Sequence, residues 1–241
     1  MRSSPPQNPR AQDDNTIIMS VEEGDFICSR LTPHDSLYLQ VRKQWNRRPK
    51  GIIIKYERRN PKKGEEDFKA MKALLIIDLL NDFMRPQGAL FVGDTVYPLI
   101  HFCEKIIPEK RKEEYTIIYM CDTHWEDDEE FQLFPPHAIQ GTWGQQVIEE
   151  LTPQKGDFII PKRRFSAFLG TELDLLLREK RTEEIEIVGV LTNIGVLYTA
   201  AWAQMLHYQV AVYREGVTSN NLSAHEFALK EMEKTLGVKI L

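Results

Sequence analysis

At 241 residues, with 42% hydrophobic and 28% charged residues, the chain is long enough for one full-sized globular domain and a small addition. A formal net charge of -5 argues against a general attraction to nucleic acid or acidic membranes, and no apolar run approaches the ~20 residues of a membrane span. Cys28, Cys103 and Cys121 are odd in number and scattered, with neither a disulfide framework nor a metal-ligand spacing, and read as thiols of a reducing cytosol.

Residues 1–16 have the polar, proline-bearing composition of a disordered tail and lack the apolar core of a secretion signal, so the expected location is cytoplasmic. Residues 17–70 form a small extension and linker of unknown role. Apolar segments TIIMSV, DFICSRL and GIIIKY surround a helix predicted over 36–45, and the charged stretch 57–69, with Pro61 and Gly64, connects to the next element. The basic runs VRKQWNRRPK and YERRNPKKGEE are short, carry no nucleic-acid motif and are balanced by acidic neighbours, so they read as solvated faces.

From Lys72 onward, short aliphatic runs alternate with helical patterns: KALLIID, TVYPLIHFCEKIIP, YTIIYMCD, DFIIP, TELDLLLREK, EIEIVGV, IGVLYTAAWAQMLHY, QVAVYRE, HEFALKEMEKTLG and VKIL. Strands that are apolar almost throughout, separated by helices, predict a doubly wound α/β domain over 71–241, with a mostly parallel sheet covered on both faces. Such folds bind ligands beyond the carboxyl ends of their strands, where Asp78, Asp122 and Lys162 stand. No glycine-rich phosphate loop follows the first strand.

Asp78, at a hydrophobic strand end, has the placement of a general base or acid, although an aspartate there also serves as a turn residue. The segment CDTHWEDDEEFQLFPPH offers Asp122, His124, Glu130 and His137 as metal donors; mixed carboxylate and imidazole groups suit zinc, iron or manganese, and the prolines stiffen the loop at His137. Asp127, Asp128 and Glu129 read as solvated. Lys162 follows a strand and could stabilise an oxyanion or a carboxylate, with Phe165 and Phe168 supplying apolar surface. GVLTNIGV reads as strand, turn and helix start, where free backbone N–H groups would face a nucleophile.

Together, Asp78 with NDF after it, DTH, FPPH followed by Gln140, Gly141 and Thr142, PKRRFSAFLGT and GVLTNIGV resemble the nicotinamidase branch of the isochorismatase-like (cysteine hydrolase) superfamily from Lys72 to Leu241. The resemblance implies hydrolysis of nicotinamide or a related small amide to acid and ammonia. It implies Asp78 as general base, Lys162 stabilising negative charge, and one divalent transition metal on Asp122, His124, Glu130 and His137. It also implies Phe83 and Phe134 around the substrate ring, an oxyanion hole at Val190, Leu191 and Gly195 aimed by a cis Val190-Leu191 bond, and a homo-oligomer to which the helix bearing Trp202 and Met205 could contribute, although helical spacing of that kind is more often that of core residues.

Two positions depart from the pattern: Leu80 stands where many relatives have glutamine, and Gly195 stands where they have the nucleophilic cysteine. Glycine has no side-chain lone pair, so thioester chemistry is closed as written. Cys121 is no substitute, because strand alternation turns it away from Asp122. The expectation is an impaired amide hydrolase of nicotinamidase type. Two alternatives stay open: a non-catalytic binder of metal and ligand, and an isochorismatase-like vinyl-ether hydrolase using Asp78 without a covalent intermediate. Isochorismatases also carry glycine here, and the glycine could also be an introduced substitution.

Overall fold

The structure, a computed structural model, describes residues 19–22, 25–28 and 71–241. The chain divides between Phe68 and Lys69. In the first unit, Met19–Glu22 (β1) and Asp25–Cys28 (β2) pair antiparallel, with Met19 opposite Cys28. The helix predicted over 36–45 lies outside the described residues.

In the second unit, Met71–Ile77 (β3), Thr116–Asp122 (β4), Phe158–Lys162 (β5), Thr182–Val190 (β6), Gln209–Thr218 (β7) and Lys239–Ile240 (β8) form one sheet in the order β5-β4-β3-β6-β7-β8. Every pairing is parallel, because a helix or long loop returns the chain between strands. The helices are Asn81–Met84 (α1), Val96–Lys112 (α2), Leu173–Glu179 (α3), Leu197–Met205 (α4) and Leu222–Lys234 (α5). The chain begins this sheet at its centre, builds outward through β4 and β5, then returns to the other flank of β3. That reversal opens a crevice beyond the ends of β3 and β6.

Both faces of the sheet are buried, which is why the strands read as unbroken apolar runs. Ala73, Leu75 and Ile77 of β3 share one core with Leu173 and Leu177 of α3, Ala200 and Ala203 of α4, and Leu229 and Met232 of α5. Leu74 and Ile76 point the other way, into a core with Phe83 and Met84 of α1 and Leu99, Cys103 and Ile107 of α2. Each fully buried leucine or isoleucine contributes ~1.5–3 kcal/mol. Glu186 of β6 breaks the apolar pattern yet is buried; it accepts hydrogen bonds from Tyr115 Oη (2.8 Å) and Tyr213 Oη (2.5 Å), and Lys110 Nζ lies 3.3 Å away. A buried carboxylate is tolerable only when it is satisfied in this way.

Three local features differ from the sequence expectation. The segment after β6 does not enter a helix at Ile194; Thr192–Val196 form a π-turn, in which Ile194 and Val196 both donate to Leu191 O (3.0 and 3.2 Å), before α4 begins. Phe168 is buried against Tyr208 in the core rather than lining a surface. Trp202 and Met205, at a spacing more typical of core positions, are 37% and 65% exposed. Among the described residues no helix is long and apolar enough to cross a membrane.

Candidate active site and metal centre

Four strand ends deliver the site. Asp78 follows β3 with φ at 55°, a left-handed conformation that costs a non-glycine residue ~1–3 kcal/mol and is tolerated where the surroundings enforce it. Its N–H donates to Met120 O (2.9 Å), and its Oδ1 accepts from the Asp122 N–H (2.8 Å), so the carboxylate is locked to the end of β4. Lys162, at the end of β5, is buried with its Nζ 2.7 Å from Asp78 Oδ2 and 2.6 Å from Asp122 Oδ1. Sequence alone allowed an exposed lysine; the structure makes it the cation between two buried carboxylates.

These charges set one another's protonation. Burial and the neighbouring Asp122 charge hold the Asp78 carboxyl well above the usual carboxylate range, against the pull of Lys162. Burial pushes Asp122 the same way, but Lys162 and His124 outweigh it and hold Asp122 below its ordinary value. Burial would strip Lys162 of its proton; the two carboxylates keep it charged and raise it.

The loop after β4 folds back so that His124 and Ile139 bridge, with the His124 N–H donating to Ala138 O (3.0 Å) and the Gln140 N–H to His124 O (2.9 Å). Asp82 of α1 clamps this return: its Oδ2 accepts from the Ala138 N–H (2.7 Å) and its Oδ1 from the Ala89 N–H (3.0 Å). The two imidazoles meet as a result, with ring centroids 4.7 Å apart. His124 Nε2 lies 3.9 Å from Asp122 Oδ1, and His137 Nε2 lies 3.9 Å from Asp122 Oδ2. His137 Nδ1 donates to Pro135 O (2.7 Å), which leaves Nε2 as its lone-pair nitrogen. Burial keeps His137 neutral by lowering its pKa.

Asp122, His124 and His137 offer ligand atoms that all lie within 4.8 Å of one another, and His124 Nε2 is buried with no hydrogen-bond partner. One carboxylate and two imidazoles with an orphaned, inward-facing nitrogen suit a divalent metal ion. Glu130, the fourth donor expected from sequence, lines the same cavity but stands outside that close group, 3.8 Å from Arg164.

The cavity over this cluster, about 60 Å³, is lined by Asp78, Asp122, Lys162 and Gly195, with apolar walls from Phe83, Leu90, Phe134, Phe165 and Ile194. It brings Phe83, Phe134 and Phe165, all named from the sequence, to one cavity, with Leu90 and Ile194 as walls that the sequence did not single out. The Val190-Leu191 peptide is cis, and both residues border the cavity beside Gly195. A Cβ built on Gly195 would lie 2.9 Å from Val190 O, 3.1 Å from Ile77 Cγ2 and 3.4 Å from Asp78 Oδ2. Cys121 packs in the core on the α2 side, with its thiol pushed up by burial, and does not line the cavity.

The structure also corrects one reading. Asp128 is not a solvated member of an acidic run; it is buried, with Oδ2 3.2 Å from His124 Nδ1 and Oδ1 accepting from the Glu130 N–H (3.0 Å) and from Arg164 Nη1 (2.9 Å). The only sequence signal was its position four residues after His124.

The isochorismatase domain, as a protein family, matches residues 72–240. An uncharacterised isochorismatase family protein of Bacillus subtilis is 35% identical over 183 residues, which are 70% of this chain and 98% of that protein. The crystal structure of a nicotinamidase/pyrazinamidase from Bacillus subtilis superposes with a TM-score of 0.68 at 33% identity, covering 70% of this chain and 98% of that one. The pyrazinamidase of Pyrococcus horikoshii, solved in complex with zinc, superposes with a TM-score of 0.67 at 29% identity over 70% of this chain and 98% of that one.

Proposed function

Because the chain belongs to the isochorismatase family, we propose that residues 71–241 form the pocket of a nicotinamidase-type amide hydrolase whose turnover is impaired by Gly195. Phe83, Phe134 and Phe165 flank a flat amide-bearing ring, and Lys162 offers positive charge where negative charge develops on the carbonyl oxygen. Asp122, His124 and His137 would hold a divalent metal ion, with Glu130 lining the same cavity. Bound there, such an ion would supply Lewis acidity.

The observation that carries this reading is the juxtaposition of Asp78 and Gly195. The carboxylate that would accept a thiol's proton faces, at 3.4 Å from where a Cβ would be, a residue without a side chain. Asp78, Lys162 and the cis peptide that borders the cavity support the reading that ligand binding is retained while covalent attack is lost. Metal-loaded protein is expected to bind nicotinamide saturably in titration calorimetry and to release ammonia only at background. Turnover by the glycine protein at an enzyme-like rate of ~1–10³ s⁻¹ contradicts the proposal.

One observation favours a second reading, vinyl-ether hydrolysis. The Asp78 carboxyl, held protonated to unusually high pH by burial and by Asp122, has the character of a general acid, and protonating a vinyl ether needs no nucleophilic side chain. Isochorismate turnover that is lost in Asp78→Asn would select this reading.

A further inference from the structure

We infer that Asp128 is a positioning residue for the metal centre: its carboxylate orients the His124 ring so that Nε2 faces Asp122 and His137, and it thereby sets how tightly a divalent cation is held. The inference rests on the metal-site reading given above and concerns a residue outside the cavity.

Three buried atoms lack an aligned hydrogen bond and lie in one line of connection: Asp128 Oδ2, His124 Nδ1 and His124 Nε2. The first two are 3.2 Å apart, and the third lies 3.9 Å from Asp122 Oδ1. A neutral imidazole carries one proton. A carboxylate beside Nδ1 draws that proton to Nδ1 and leaves the lone pair on Nε2, the side that faces the other donors. A metal-bound histidine ordinarily gives its second N–H to a carboxylate or a carbonyl, and His137 does so with Pro135 O at 2.7 Å. Asp128 supplies the matching partner for His124.

Capping alone does not account for this aspartate. The short 3-10 turn Glu129–Gln132 begins with Asp128 as its cap, yet the Glu130 N–H and Arg164 Nη1 both use Oδ1. Asparagine could cap equally well without the cost of burying a charge. The Asp128 side chain is 1% exposed, and Arg164 lies against it from the outer side and offsets its charge. Oδ2 is left for the imidazole.

The test measures zinc affinity of the full-length protein by competition with a chromophoric chelator, for the parent and for Asp128→Asn. The asparagine keeps an acceptor for the Glu130 N–H, so the urea midpoint should stay near the parent's while zinc binding weakens ~10–100-fold. Nitrogen-15 spectra of the metal-free parent should show His124 protonated on Nδ1, and the variant should lose that preference. Equal zinc affinity in parent and variant, or an Nε2-protonated His124 in the parent, overturns the role of Asp128 while leaving the metal site standing. A parent that binds no zinc overturns both. If Asp128→Asn does not fold, Arg164→Gln keeps the carboxylate but removes its outer support, and should weaken zinc binding measurably; unchanged affinity there counts against the inference.

Discussion

Replacing Gly195 with cysteine tests the pocket most directly. The backbone at Gly195 is not in the left-handed region, and the residue precedes α4, so a side chain is conformationally admissible; leaving glycine for another residue in helical backbone gains up to ~1 kcal/mol. Against that, the new Cβ meets the backbone oxygen of Val190 at 2.9 Å and Ile77 Cγ2 at 3.1 Å, so the backbone itself must shift, a strain of ~1–3 kcal/mol. The strain outweighs the gain, and Gly195→Cys should fold with a loss of up to ~2 kcal/mol against the parent. The thiol enters beside the Asp78 carboxylate and the cis Val190-Leu191 peptide. Removing a nucleophile from an assembled site costs up to ~10⁶ in turnover in a serine protease, so restoring one to an intact frame should raise ammonia release from nicotinamide by at least ~10³, about 4 kcal/mol of barrier. The assay is coupled ammonia detection with metal-loaded protein at matched concentration. A folded, metal-loaded Gly195→Cys protein no faster than the parent would refute the view that these residues form an amidase frame awaiting a nucleophile.

Lys162→Met removes the cation between Asp78 and Asp122 and should destabilise the fold by ~3–5 kcal/mol in urea titration. Without the ammonium both carboxylates hold their protons more tightly in the fold than they do in the parent, so the deficit should be smallest in acid and grow as pH rises above about 2, where Asp122 ionises in the parent, and again above about 7, where Asp78 does; a pH-independent deficit contradicts the pairing. Zinc at a hundredfold excess over its dissociation constant should stabilise the protein by ~2.7 kcal/mol, with a chelator reversing the shift; a melting temperature indifferent to both argues against the metal centre. Gly189→Ala places a Cβ 2.0 Å from Ile77 O at φ 128°, and should cost ~3 kcal/mol or more in thermal unfolding; a loss under ~1 kcal/mol means that β6 does not lie so close to β3.

The parallel sheet was legible because strands buried on both faces are apolar throughout, and Asp78, Asp122 and Lys162 stood out as the polar residues ending such runs. Their mutual contact was not legible, since strand order places β5 beside β4 and β4 beside β3 only in three dimensions. His124 and His137 were visible as a motif, whereas Asp82, whose carboxylate clamps Ala138 and so brings the histidines together, was noticed only as part of NDF. Asp128 was hidden inside EDDEE, where composition suggests solvent and burial is decided by how the loop folds back. Phe168 and Trp202 were misjudged for the same reason: helical or aromatic spacing identifies a face, and neighbouring elements decide what covers it.

Gly195 also changes what the pocket measures. A thiol-bearing pocket consumes its ligand, so the longer it runs the less ligand remains. A pocket that lacks the attacking atom returns its ligand unaltered, and the fraction of molecules filled follows the free concentration at every moment. On this reading, a hydrogen in place of a CH2SH group makes the pocket a gauge where a thiol would make it a sink, and the aromatic walls and metal donors would select what is bound and returned.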